Sequence, residues 1–130
     1  MKIIYSSLFV NDQDEALKFY TGILGFVKKS DITAREYRWL TVVSPDDKNG
    51  TELVLEPNAN PAAKTYQKAI FERSIPATTF NVSDIRAEHE RLKKNVVKFT
   101  MEPTEIMKNV TIAVFDDTCG NLIQMLQRGQ

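Results

Sequence analysis

The 130-residue sequence contains one cysteine and one histidine. A single thiol, Cys119, excludes an intrachain disulfide and suits a reducing compartment, so the expected location is the cytoplasm. With one imidazole, His89, placed mid-helix by the pattern around it, no Cys–His or Ser–His–Asp set can be assembled. Charge of one sign is not in excess. Lys plus Arg and Asp plus Glu number 17 each, giving a formal net charge of zero. That argues against nucleic acid as the main partner, because phosphate binding wants a basic excess or stripe. The clustered cations Arg91, Lys93 and Lys94, with Arg86, read as the solvated face of a helix. No apolar run approaches the ~20 residues of a membrane span, and Met1-Lys2 leads into a strand-like run with no signal-peptide pattern. The glycines, at 22, 25, 50, 120 and 129, lack the spacing of a phosphate loop.

What is present is a pattern that occurs twice. Residues 3–10 alternate as a strand, with Ile4, Leu8 and Val10 on one face and Tyr5, Ser7 and Phe9 on the other. Asp12, with Glu15 three residues on, has the spacing of a capping box. Ala16, Phe19, Tyr20 and Ile23 then predict an amphipathic helix over 13–22. Strands are expected near 26–30, 36–43 and 51–56, the last two joined by the turn-rich SPDDKNG. Asn60 and Pro61 open a linker helix over about 60–73, with Ala63, Tyr66, Ile70 and Phe71 as its apolar stripe. The first pattern then returns. A strand at 77–82 precedes a helix capped by Asp84 or Ser83 and running to about 95. Ile85, Leu92 and the stem of His89 line its inner side. Strands follow near 96–101, 110–115 and 121–126, with turns at Glu102-Pro103 and at 116–120. The phrase Leu8-x-Val10-x-Asp12 is echoed by Phe80-x-Val82-x-Asp84, and repeats of this length indicate a duplicated supersecondary unit. Each half alone is small for a core, so the two should fold as one domain.

The run SLFVNDQDEALKFYTGILGF (7–26), the echo PATTFNVSDI and the ending DTCGNLIQM resemble the vicinal oxygen chelate superfamily. Glyoxalases, bleomycin-resistance proteins and extradiol dioxygenases belong to that superfamily. The resemblance implies an α+β fold of two paired βαβββ modules, about 1–56 and 76–130, with curved mixed sheets around a shared cleft. Metal-using members place one ligand in the first and one in the last strand of each module. Carried onto this chain, those positions are Tyr5, Ala77, Gln124, and either Glu52 or Glu56. Tyr5 would have to ionise from a pKa near ~10 to ligate well, Ala77 can ligate nothing, and Gln124 offers only a neutral carbonyl. No tightly bound metal and no other cofactor is therefore expected.

The implied function is binding of a small organic molecule in the inter-module cleft. The alternatives are a metal-dependent lyase or dioxygenase and a drug-sequestering resistance protein. Tyr5, Ser7, Phe9, Trp39, Thr79, Asn81 and Gln124 are the expected ligand-binding residues, because strand parity puts them on the concave faces. Thr41 shares Trp39's parity, whereas Arg38 should point the other way. Glu52 and Glu56 are the candidate catalytic carboxylates, either able to accept a donor or act as a base. Small superfamily members usually pair, so a homodimer is expected. Cys119, beside two acids, should be a poor nucleophile. His89 is expected at the surface or half-buried.

Overall fold

A computed structural model describes residues 1–129 of the chain. They form two compact units that divide after Thr65. In the first unit, strand β1 (Tyr5–Val10) is followed by helix α1 (Gln13–Leu17), β2 (Val27–Ala34), β3 (Tyr37–Val43) and β4 (Glu52–Pro57). Helix α2 (Pro61–Glu72) runs across the division between the units. The second unit continues with β5 (Thr78–Asn81), α3 (Ile85–Lys94), β6 (Phe99–Met107), β7 (Val110–Asp116) and β8 (Leu122–Arg128).

Each unit carries a four-stranded sheet, in the order β1-β4-β3-β2 and β5-β8-β7-β6. In both, the first strand runs parallel to the last while the other pairings are antiparallel. The fold is thus α+β with open mixed sheets, and the repeated βαβββ order seen in the sequence is repeated in topology.

The alternation of side chains decides what each sheet buries. In the first unit, Leu8, Val10, Leu40, Val42 and Leu55 are buried on the helix side with Ala16, Phe19 and Tyr20. The Phe19 and Tyr20 rings meet edge to face at 5.6 Å. Asp12 caps α1 by accepting from the Glu15 N–H, as its spacing predicts. The helix then departs from expectation. It is α-helical only to Leu17 and π-helical over Lys18–Ile23, with the Leu24 N–H reaching back to the Phe19 carbonyl. The extra residue in that wider turn is compatible with burying the adjacent Phe19 and Tyr20 together. Gln13 ties the helix to the sheet, its side-chain amide donating to the Arg38 carbonyl at 3.1 Å and the Leu55 carbonyl at 2.8 Å.

In the second unit α3 packs on β6, β7 and β8, burying Ile85, His89 and Leu92 beside Ala113, Phe115, Ile123 and Met125. Asp84, not Ser83, is the cap. His89 is buried rather than half-buried, because its four-residue step from Ile85 and three-residue step to Leu92 put it on the inner stripe. Its ring meets Phe99 at 4.6 Å. In α2 the stripe differs from the expected one. Gln67 is 6% exposed and Tyr66 is 61% exposed, because the Gln67 amide is hydrogen-bonded to the Cys119 carbonyl and the Asn121 side chain. Strand β6 also runs through Pro103, where a turn was expected. It tolerates proline because it lies at the sheet edge and its register slips between Met101 and Thr104.

Candidate functional site

Opposite the helix side, each sheet has a second face. In the first unit the register Tyr5↔Glu52, Ser7↔Val54 and Phe9↔Glu56 puts these six side chains on it. Thr41↔Val54 adds Thr41 and, by parity, Trp39 and Tyr37. Ser30↔Thr41 and Ile32↔Trp39 add the second strand. Parity in the sequence therefore placed Tyr5, Ser7, Phe9, Trp39, Glu52 and Glu56 together correctly. Arg38 lies on the helix side, as expected, paired with Asp31 at 2.9 Å and Asp14 at 2.6 Å.

This face is aromatic and acidic. The Tyr5 and Trp39 rings meet edge to face, with centroids 5.2 Å apart and planes at 89°. Since β4 lies between β1 and β3, the pair reaches across β4. Tyr5 remains 47% exposed and Tyr37 43%. The Tyr37 hydroxyl lies 3.5 Å from a Glu56 carboxylate oxygen, the limit of a hydrogen bond. Burial and the neighbouring Glu56 charge hold the Tyr37 phenol above its usual range. Glu52 is anchored better, accepting from the Thr41 hydroxyl at 2.7 Å. Tyr37 was not singled out from sequence, although it shares Trp39's parity in EYRWLTVV, and that parity was the available signal.

In the second unit, Thr79↔Gln124 and Asn81↔Leu126 put the expected polar residues on one face. The Gln124 amide donates to the Thr79 hydroxyl at 3.2 Å, so the two are brought together. Val114 lies opposite Gln124 on the other side.

Comparing the two ladders aligns the residues to which the resemblance carries the metal-ligand positions. Thr79 and Gln124 are partners, and by the repeat Ser7 stands where Thr79 does. The partner of Ser7 is Val54. The counterpart of Gln124 is therefore Val54, flanked on the same face by Glu52 and Glu56. The positions become Tyr5 and Val54 in the first unit, and Ala77 and Gln124 in the second. Neither the phenol and isopropyl group of the first unit nor the methyl group and neutral amide of the second fit a divalent metal, which wants imidazole or carboxylate donors. Among the described residues, no three His, Cys, Asp or Glu side chains are gathered as a metal cluster.

The closing turn that carries the end of the motif is organised by a buried carboxylate. Asp117 is fully buried. One of its oxygens accepts from the Cys119 and Asn121 N–H groups at 2.7 and 3.0 Å, and the other accepts from the Asn121 side-chain amide at 2.9 Å. Cys119 is fully buried in the same turn. This network went unread in the sequence, where DxxGN looked like a lead into Gln124.

The model of the Glyoxalase/Bleomycin resistance protein/Dioxygenase superfamily matches residues 2–125. The chain is 62% identical over 128 residues to the uncharacterized protein YurT of Bacillus subtilis strain 168, covering 98% of this chain and all of that one. Among solved structures, UcmS2 superposes with a TM-score of 0.84 at 33% identity, covering 97% of each chain. TnmS3, an antibiotic binding protein from Streptomyces sp. CB03234, superposes with a TM-score of 0.78 at 25% identity, covering 99% of this chain and 97% of its own.

Proposed function

The chain belongs to the Glyoxalase/Bleomycin resistance protein/Dioxygenase superfamily, and from that premise we propose that it binds a small aromatic organic molecule without a tightly held catalytic metal. The observation that carries this is the first unit's open face. There an exposed Tyr5 and a half-buried Trp39 stand beside two carboxylates, while the positions to which the resemblance carries metal ligands hold Tyr5 and Val54 in this unit and Ala77 and Gln124 in the other. Flat rings on such a wall offer stacking area at low entropic cost. The likeness to TnmS3, an antibiotic binding protein, supports the same reading. On the second unit's own sheet face, Thr79, Asn81 and Gln124 offer neutral hydrogen-bonding groups. The reading includes a homodimer in the cytoplasm. Glu52 and Glu56 are ligand acceptors in this view. They would be catalytic bases only if the bound molecule is turned over.

Trp39 is the only tryptophan, so its fluorescence reports on this face directly. A panel of planar aromatic antibiotics should include members that quench it saturably at micromolar concentration. Tyr5→Ala should weaken that binding about 3- to 10-fold, the size of one aromatic contact. A panel with no saturable quencher, or stoichiometric zinc, nickel or iron in protein purified without chelator, would overturn the proposal in favour of a metal-dependent lyase or dioxygenase.

A further inference from the structure

The ladder between β2 and β3 slips by one residue. Lys28 faces Val42 and Ser30 faces Thr41, so Lys29 is an extra residue in a β-bulge. At the bulge, the Ser30 N–H donates to the Thr41 hydroxyl oxygen at 3.1 Å, a side chain standing where a backbone acceptor would be expected. A hydroxyl has one proton to give. With its oxygen already accepting, Thr41 directs that proton at Glu52, 2.7 Å away, the length of a charge-assisted bond to a carboxylate. Thr41 is 0% exposed, so water does not compete for it, and its β-branched side chain has few rotamers to choose from.

Glu52 thereby has one oxygen fixed. Among the described residues, its other oxygen has no protein cation. The register places no lysine or arginine on this face of the first unit, since Arg38 is committed on the opposite side to Asp31 and Asp14 and Lys28 pairs with Val42 there. The Lys29 ammonium is turned to the Lys48 carbonyl and the Asn49 side chain. An aromatic wall with an oriented carboxylate and no ion-paired cation from the described residues is complementary to an aromatic cation.

We propose that Thr41 is a positioning residue that holds Glu52 as the ionic anchor for a protonated nitrogen on the bound aromatic molecule. The proposal rests on the binding reading above and is tested separately from it. Two probes of similar shape suffice at neutral pH: 9-aminoacridine, a cation, and acridine, which is neutral. In Trp39 quenching, the wild-type protein should bind the cation on the order of 10-fold more tightly than acridine. Thr41→Val should abolish that preference while leaving acridine binding within about 2-fold, which also shows that the fold survives. Thr41→Ser, which keeps the hydroxyl, should restore the preference, and Glu52→Gln should remove it independently. A preference that persists in Thr41→Val or in Glu52→Gln overturns the assignment. If neither probe quenches Trp39 in the wild type, the binding reading itself fails, an outcome distinct from loss of the preference alone.

Discussion

Arg38 and Trp39 are adjacent in sequence and face opposite sides of one sheet. Parity alone separates a guanidinium that holds the fold from a ring that lines the candidate site. What parity could not supply is the partner of Arg38. Asp31 reaches it only because β2 runs on to Ala34, beyond the short strand expected from the sequence. The fork is two-pronged, with Nε and Nη2 each donating to an Asp31 oxygen at 2.9 Å. Hydrogen bonding from Arg38, opposed by some desolvation and aided by its charge, holds the Asp31 carboxyl below the usual range. The folded state therefore favours the ionised form. The stabilisation is present above the unfolded carboxyl's pKa of about 3.9 and is lost as pH falls through the lowered folded value. Asp31→Asn should cost about 0.5–1 kcal/mol at pH 7, a modest figure because the pair is partly exposed. Urea midpoints measured from pH 7 to pH 2 should show the gap between variant and wild type closing at the acid end. A gap that is constant with pH would show that the ion pair is not its source.

Among the elements, those with strong periodicity were legible and those shaped by distant partners were not. The strands around Leu8, Leu40, Val114 and Ile123 follow from alternation. The π-helical turn over Lys18–Ile23, the bulge at Lys29 and the passage of β6 through Pro103 do not, since each is a compromise between ladder and packing that local composition does not encode. The turn after β7 is the clearest case. Gly120 has a φ of +98° and an added Cβ would lie 2.7 Å from the Gln67 amide nitrogen. The sequence shows the glycine, but not that α2 lies against it. Gly120→Ala should therefore lower stability by about 1–3 kcal/mol, combining left-handed strain with crowding. Thermal denaturation would check this, and Gly129→Ala, where nothing lies within 4 Å of an added Cβ, is the control for strain without crowding.

Across the whole molecule, the duplication was the most informative feature and also the source of the ambiguity between Glu52 and Glu56. Sequence echo aligned the first strands, but the last strands share no phrase. Only the hydrogen-bonded ladders show that Val54 stands where Gln124 does. The division into two units with matching topology gives the single thiol an experimental use. Cys119 is fully buried within the second unit's closing turn, so a maleimide can reach it only when that turn opens. Labelling of the native protein should be on the order of a thousandfold slower than in urea. Fast labelling would show that the turn opens locally. If labelling is slow, a cysteine engineered on the surface can be dye-labelled with the native one left in place. The buried thiol then serves as an internal clock for unfolding, read by mass spectrometry with no ligand in hand.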